Sequence, residues 1–357
     1  KKRIMKKFLL LLAIVLLFSV KGYSQYFTED FESAFVGSPP APAGWTQTSY
    51  NINTTAASDK DWVQNTWTGA AWSVTSNGTN PTGAKSGTGV LWIDDYNYVG
   101  ASNPQNSSRM ESGAINILGA TSPYLRFWYF NNQAPGQTMN FRVMLSSNSG
   151  ATWDAVPILN GWDSAANKWN RINIPIPAAY RTSTFRLAFE ITNRWGTNNP
   201  FIDLVSVEEY TPTTITSTGA GGNWNDPAAW VGGVPPTSDN NINIVTGATI
   251  TVPAVVGLIA RCQNAQIDGT LTFGTTTSTA FCAFGNITVG ATGRLNAFNG
   301  TSGRSVLCGG NFTNGGAINF AIPNATANNW SVAGLATGAA TLVLFGPSAS
   351  NYDVTGT

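Results

Sequence analysis

Short runs that alternate apolar and polar residues, or that are rich in β-branched and aromatic residues, recur through the first 210 residues. The clearest runs are YLRFWYF (124–130), NFRVMLSS (140–147), WNRINIPI (169–176), TFRLAFEI (184–191) and FIDLVSV (201–207). Turn residues bound each run, and no long stretch follows the helical period, so the pattern predicts strands. Strands without intervening helices are typical of an antiparallel β-sandwich.

The pattern changes after residue 210. Segment 211–222 is rich in Thr, Gly and Pro and is interpreted as a linker. Beyond it, pairs of short apolar runs around Gly recur, and three of these units open with a cysteine. One coil of a parallel β-helix uses about this length of chain. The sequence therefore predicts an all-β chain: an antiparallel jelly-roll β-sandwich over 26–210, the linker, and a capped, right-handed parallel β-helix over 223–357 that is incomplete at its C-terminal end.

The three cysteines, Cys262, Cys282 and Cys308, are 20 and then 26 residues apart. Stacked positions on neighbouring coils lie about 4.8 Å apart with parallel side chains, whereas a disulfide needs Cβ atoms about 3.8 Å apart that lean together. The spacing favours a buried ladder of reduced cysteines. A single disulfide with one spare thiol is the alternative.

Two tryptophans, Trp224 and Trp230, lie in the stretch GNWNDPAAWVGGVPP that precedes the coils. The first coil of a β-helix has no coil beneath it, and two indoles can cover its apolar end because each buries about 150–250 Å². We therefore interpret Trp224 and Trp230 as a structural cap and Asp226 and Asp239 as turn formers. The alternative is that the stretch is the mouth of an active site.

Two family resemblances rest on these segments. The stretch GNWNDPAAWVGGVPPTSDNNINI resembles the eight-glycine (G8-like) domain that opens bacterial surface β-helices. The order of FTEDFESAFVGSPPAPAGWTQ, YLRFWYFNN, VMLSSNSGATWDAV and FIDLVSVEEY resembles the MAM-like, cleaved-adhesin (concanavalin-like) jelly rolls of bacterial surface proteins. These resemblances imply an adhesion or carbohydrate-binding module that often holds a structural calcium. They also imply export by type IX secretion.

Carboxylates at the ends of the sandwich are candidate calcium ligands. Asp30 and Glu32 are two residues apart, so an extended strand places both on one face, and Asp203 lies on the last long strand. The first and last strands of a jelly roll are commonly neighbours, so these acids could meet, with Asp95 as a further oxygen ligand. The alternative is that all four are solvated at strand edges.

Tryptophans in segments rich in Gly, Asn and Thr are candidate platforms for sugar rings. They are Trp62, Trp67, Trp72 and Trp195. The alternative is that they fill the core and corners of the sandwich, as tryptophans usually do.

The amino-acid composition excludes several classes of function. The chain has no histidine, which excludes imidazole acid–base chemistry and His-ligated zinc. Residues 1–25 have a basic start and an apolar run from Phe8 to Phe18, which predicts a Sec signal peptide and no stable membrane span after cleavage. This segment holds six Lys or Arg and no Asp or Glu, which leaves 13 basic and 18 acidic residues and disfavours nucleic-acid binding.

Taken together, the sequence predicts a secreted or outer-surface protein that is not an enzyme over these residues and that binds a glycan or a surface protein. Residues 241–357 contain only two acids, Asp268 and Asp353, which are too few for the catalytic face of a β-helical polysaccharide lyase. The alternative is the accessory N-terminal part of a larger secreted polysaccharide-degrading enzyme or peptidase.

Overall fold

The computed structural model describes a chain that is all-β over the residues it covers. These are residues 24–50, 61–67, 79–93, 107–132, 140–157, 168–192, 199–254, 259–274, 279–297, 304–319, 340–344 and 352–353. Two single-turn 3-10 helices, Ala178–Tyr180 and Pro227–Ala229, interrupt the strands of this part.

Eleven strands of the described chain form a two-layer antiparallel sandwich. They are β1 (Gln25–Glu29), β2 (Thr46–Tyr50), β3 (Val63–Thr66), β4 (Gly89–Trp92), β5 (Ser107–Glu111), β6 (Pro123–Asn131), β7 (Asn140–Ser146), β8 (Asp154–Pro157), β9 (Trp169–Pro175), β10 (Arg186–Thr192) and β11 (Pro200–Glu209). The first sheet has the order β3-β4-β11-β6-β9, with β1 also paired to β11, and the second has the order β2-β5-β10-β7-β8. The sandwich predicted from the strand pattern is confirmed.

Alternation along each strand separates the core from the outer faces. On β10, Leu187, Phe189 and Ile191 are buried between the sheets, while Arg186 and Glu190 are on the outer face. Aromatic rings dominate this core, with Phe189 stacked on both Trp45 and Phe141. The inward residues therefore form the apolar core between the two sheets.

The second half winds into parallel coils. Its strands are β12 (Thr213–Thr216), β13 (Gly222–Asn223), β14 (Asn240–Ile244), β15 (Thr249–Val252), β16 (Ile259–Cys262), β17 (Ala265–Ile267), β18 (Thr270–Phe273), β19 (Thr279–Ala283), β20 (Ile287–Val289), β21 (Arg294–Asn296), β22 (Arg304–Cys308), β23 (Phe312–Asn314), β24 (Ala317–Asn319), β25 (Ala340–Leu344) and β26 (Tyr352–Asp353). They form three parallel sheets, β12-β14-β17-β20-β23-β26, β13-β15-β18-β21-β24 and β16-β19-β22-β25. The predicted parallel β-helix is confirmed as a solenoid of about four complete coils.

The segment 211–222 is not simply a linker. Within it, β12 pairs in parallel with β14, and Gly222 begins β13, which pairs with β15. The prediction of a linker is therefore wrong for Thr213–Thr216, which form the first strand of the solenoid. Thr and Gly suggested a loop, but TTIT also has the β-branched composition of a strand.

All three cysteines are free and buried, and they lie on β16, β19 and β22, which are consecutive strands in the third sheet of the solenoid. The disulfide alternative is therefore wrong, and so is the single ladder. Cys262 pairs with Ala283, which pairs with Cys308, so these two cysteines share an interior column two coils apart. Cys282 pairs with Arg261 and Leu307, one residue out of register, so its side chain lies on the opposite face of the sheet.

The outer face of the third sheet of the solenoid packs against the sandwich. Ile259, Cys282 and Phe284 belong to the same apolar cluster as the sandwich core, whereas Cys262 and Cys308 belong to the interior of the solenoid. The two halves of the chain therefore share buried surface.

Hydrogen bonds cover the exposed edge of the sandwich at the same junction. Strand β9 is the last in its sheet, so its outward carbonyl groups have no strand to pair with. The amide Nε2 of Gln263 donates to the carbonyl of Asn173 at 2.9 Å, and the hydroxyl of Ser238 donates to the carbonyl of Arg171 at 2.7 Å. Side chains of the solenoid thus satisfy the edge of β9.

Candidate functional site

The outer face of the second sheet carries a row of side chains that crosses all five strands. The strand registers place Thr48, Arg109, Glu190, Arg142 and Pro157 opposite one another on β2, β5, β10, β7 and β8. At about 4.8 Å per strand the row is roughly 19 Å long. Its three central members, Arg109, Glu190 and Arg142, alternate in charge. The adjoining positions on this face are Ala188 and Met144, which are buried.

An ion-pair network joins these charges. Arg109 donates from Nε at 2.8 Å and from Nη2 at 2.5 Å to Oε2 of Glu190, and its Nη1 lies 3.8 Å from Oε1 of Glu111. Glu190 is only 5% exposed although it is on an outer face. A carboxylate is retained in such a position when it is paired and hydrogen-bonded. The network therefore fixes Arg109 and Glu190 in one geometry.

Burial also acts on Glu111. Desolvation raises the pKa of Glu111, while the positive charges of Arg109 and Arg186 and a hydrogen bond with Thr48 oppose this shift and Glu190 reinforces it. The carboxylates of Glu111 and Glu190 therefore influence each other electrostatically, with Arg109 between them.

A half-buried indole lies beside the row. The guanidinium carbon of Arg109 is 5.3 Å from the ring centroid of Trp153, within the range of a cation–π contact. Trp153 follows β7 and Arg109 is on β5, so this contact joins the segment after β7 to a strand on the far side of β10.

The turn before Trp153 is rigidly built. Ser146 Oγ accepts the amide of Gly150 at 2.9 Å, and Asn148 Oδ1 accepts the amide of Thr152 at 3.0 Å. Ser149 and Gly150 both have positive φ, and a Cβ at Gly150 would lie 3.2 Å from the indole. This hairpin positions Trp153 against the sheet.

The predicted sugar platforms have different outcomes. Trp62 is fully buried, donates to the carbonyl of Ser108 at 3.0 Å and packs on Phe141, so its assignment as an exposed platform is wrong. Trp67 is half-buried, and its ring lies against Gly83. Trp72 and Trp195 lie outside the described residues, and their assignment stays a prediction.

Sequence reasoning missed the row because each member looked like an ordinary solvated charge. Arg142 in NFRVML and Glu190 in RLAFEI occupy the outward positions of apolar strands. The signal was present in those alternations, but only the strand order shows that the charges are adjacent.

Two of the predicted calcium ligands meet at one loop. Oδ2 of Asp203 accepts the amides of Lys85 and Ser86 at 2.8 and 3.0 Å, and Oε1 of Glu32 accepts the amides of Thr88 and Gly89, both at 2.8 Å. The two carboxylates therefore clamp opposite ends of the same short segment.

The remaining predicted ligands do not join them in the described part of the chain. Oδ1 of Asp30 accepts the amide of Glu32 at 3.2 Å, and Asp95 is not among the described residues. No group of three acidic, histidine or cysteine side chains suited to a metal occurs in the part that the structure describes. The carboxylates of Asp203 and Glu32 each already accept three hydrogen bonds from the protein. Their oxygens therefore fit a calcium ion only in part, and the calcium stays a prediction.

The tryptophans before the coils are buried in the first coil. Trp224 and Trp230 are 3% and 2% exposed, their rings meet edge to face at 5.3 Å, and Trp230 Nε1 donates to the carbonyl of Trp224 at 2.8 Å. Strands β12 and β13 have no third strand in their coil, and the loop with both indoles follows β13 directly. This arrangement is that of an apolar plug, and the assignment of a cap stays our interpretation.

The two aspartates of this loop differ. Asp226 accepts the amide of Ala228 at 2.9 Å and begins a 3-10 turn, as predicted for a turn former. The carboxylate of Asp239 instead bonds Asn173 and lies 3.7 Å from Arg171 and 3.8 Å from Arg126. Asp239 does lie in a turn, but the predicted Asx role of its side chain is wrong, because the partners of its carboxylate come from the sandwich.

Comparisons with known proteins give the following. The sequence matches no protein-family model and no curated protein. Similar solved structures include the K1 cleaved adhesin domain of Lys-gingipain from Porphyromonas gingivalis, with 15% identity, a TM-score of 0.35, and coverage of 52% of this chain and 98% of that one. The CBM22-1 xylan-binding domain from Paenibacillus barcinonensis has 13% identity, a TM-score of 0.29, and coverage of 53% and 96%.

A third similar structure is the C-terminal family 22 carbohydrate-binding module of Clostridium thermocellum Xyn10B, with 16% identity, a TM-score of 0.28, and coverage of 53% and 95%. Likeness at this level does not assign a function. The function therefore has to be inferred from the side chains of this chain.

Proposed function

We propose that this chain is a non-catalytic surface-binding protein that holds a glycan on the outer face of the second sheet. The observation that carries the proposal is the fixed Arg109–Glu190 pair beside the indole of Trp153. Ligand sites combine apolar or aromatic surface with a few polar groups whose orientation is fixed. Sugars present both kinds of surface, since their ring faces can stack on an indole and their hydroxyl groups can bond a charged pair.

The solenoid supports this role mechanically. Its coils share buried surface with the sandwich and bond the edge strand β9 of the first sheet, whereas Arg142 on the outer face of the second sheet keeps a side chain that is 41% exposed. We propose that residues 1–25 direct export and that the sandwich is presented outside the cell. No helix in the described part of the chain has the length and hydropathy needed to cross a membrane.

An enzymatic role is the second candidate because Glu111 and Glu190 are two carboxylates on neighbouring strands of one face, and glycosidases use a pair of carboxylates. One has a raised pKa and the other is bound to arginine, so their environments differ. However, Arg109 is engaged with both, which favours a structural role for the pair. In the accessory alternative, the binding face would serve a catalytic domain of a larger protein.

The test is binding to a panel of soluble polysaccharides, measured by affinity electrophoresis beside a reducing-sugar assay. We expect retardation by at least one polysaccharide, loss of that retardation in Trp153→Ala, and partial retention in Trp153→Phe, which keeps an aromatic face. Trp169→Ala is the control, since Trp169 is a half-buried tryptophan on the other sheet.

Three outcomes oppose the proposal. Binding that survives in Trp153→Ala would place the site elsewhere, and release of reducing ends would favour the enzyme. Absence of binding across the panel would remove the glycan proposal and leave a surface-protein ligand.

A further inference from the structure

The outer face of the second sheet has more positive charge than its ion pairs use. Three arginines, Arg109, Arg142 and Arg186, share it with two glutamates, Glu111 and Glu190. Arg109 engages both glutamates, as described above. The charge of the other two arginines is therefore only partly compensated within the described residues.

Arg142 is the more accessible of the two. Its side chain is 41% exposed, its Nη1 is 3.8 Å from Oε1 of Glu190, and it makes no hydrogen bond within the described part of the chain. That distance is too long for a hydrogen bond. The five N–H donors of the guanidinium are thus available to a ligand on this face.

Arg186 lies at the other end of the face and is only partly exposed. Its Nε is buried and has no hydrogen-bond partner among the described residues. The register places Arg186 opposite Ser146, four residues from Arg142 along β7. At about 3.4 Å per residue, the two arginines are roughly 14 Å apart along the strand direction.

We infer that the ligand on this face is an acidic polysaccharide, whose carboxylate or sulfate groups pair with Arg142 and Arg186. The inference rests on the proposed glycan-binding function and names its ligand class. A guanidinium matches a planar carboxylate or a sulfate with two parallel hydrogen bonds, which a neutral hydroxyl group cannot provide. A polymer with repeated acidic groups can meet both arginines while a sugar ring lies against Trp153.

The experiment uses the full chain and two pairs of polysaccharides that share a backbone. Polygalacturonate is compared with its highly methyl-esterified form, and dextran sulfate with dextran, so that the carboxylate and sulfate sources are separated. We expect at least one acidic member to bind roughly tenfold or more tightly than its neutral counterpart, and added salt to weaken that binding.

The variants locate the effect. Charged hydrogen bonds contribute about 1.5–3 kcal/mol, so Arg142→Gln should weaken binding of the acidic polymer roughly 10- to 100-fold. Arg294→Gln changes an exposed arginine of β21 on the solenoid and should leave the affinity unchanged. The exposure of Arg142 predicts little change in thermal stability, and Arg142→Lys should recover only part of the affinity.

Two results would overturn the inference alone. One is a neutral polysaccharide that binds as tightly as its acidic counterpart and depends on Trp153, and the other is unchanged affinity in Arg142→Gln. If no polysaccharide of either kind binds, the proposed function falls together with the inference.

Discussion

Burial raises the pKa of the Asp203 carboxylate to about 7; amide hydrogen bonds from Ser86, Leu204 and Lys85 oppose the shift, and Glu32 adds to it. In the unfolded chain this group has a pKa near 3.8. The folded state therefore binds a proton more tightly than the unfolded state between these two values. Stability contributed by protonated Asp203 is present at low pH and is lost as the pH rises toward and through 7.

This shift gives a test of the predicted calcium. In the presence of a chelator, we expect the melting temperature to fall between pH 5 and pH 8, and Asp203→Asn to reduce that fall. A calcium bound by Glu32 and Asp203 would favour the charged form, so added calcium should raise the melting temperature at pH 8 and have little effect at pH 5. Identical dependence of the melting temperature on pH with calcium and with chelator would rule out a calcium ion at this site.

The thiols give a second prediction for single residues. Burial raises the pKa of Cys282 to about 12 and that of Cys308 to about 11, and burial also raises the pKa of Cys262. Since the thiolate is the reactive form, none of the three should react with a soluble disulfide reagent at neutral pH in the native protein. All three should react in denaturant, and a titre below three there would indicate a disulfide.

Within the solenoid, asparagines form a ladder at the start of one sheet. Oδ1 of Asn241 accepts the amide of Asn264 at 3.1 Å, Oδ1 of Asn264 accepts the amide of Asn286 at 2.8 Å, and Oδ1 of Asn286 accepts the amide of Asn311 at 2.8 Å. Each side chain thus satisfies a backbone donor of the next coil. The ladder fixes the register between coils where the chain turns.

We expect Asn264→Ala to lower the free energy of unfolding by about 1–3 kcal/mol, because the amide of Asn286 loses its acceptor. Asn264→Asp keeps a side-chain oxygen at that position and should cost less, although it loses the donor that bonds Asn241. Urea unfolding of the two variants measures the difference. Equal losses would show that the acceptor does not matter.

These elements show what the sequence could and could not predict. The alternating strands and the spacing of the coils were predictable because the side-chain period of a strand is two and coil lengths repeat. The faces on which the three cysteines lie were not predictable. Their spacings of 20 and 26 residues allow a shift of one residue at each coil, and a shift of one residue moves a side chain to the other face of the sheet. The charged row required the strand order, which no local pattern contains.

At the scale of the molecule, an ion cluster joins sandwich and solenoid. Arg126 of the sandwich pairs with Glu208 and stacks on Tyr210. Arg126 and Arg171, both on the sandwich, also form ion pairs with Asp239, which belongs to the solenoid. The hydroxyl of Tyr210 also donates to the carbonyl of Asp239 at 2.6 Å. With the shared apolar cluster, these contacts predict that the two halves unfold in one transition.

Asp239→Ala tests this coupling. We expect a loss of roughly 1–2 kcal/mol, a moderate value because the side chain of Asp239 is 30% exposed and solvent screens its ion pairs. Asp239→Asn keeps an acceptor for Asn173 while removing the charge, so it separates the hydrogen bond from the ion pairs. Calorimetry of the wild type that resolves two transitions would contradict the coupled unit.

The most direct test of the glycan-binding face is a crystal structure of the full chain with an oligosaccharide from the polymer that it binds. We expect a sugar ring against Trp153, with hydroxyl or acidic groups bonded to Arg109, Glu190 and Arg142 across β5, β10 and β7. A sugar bound to the solenoid or to the outer face of the first sheet, with this row unoccupied, would contradict it.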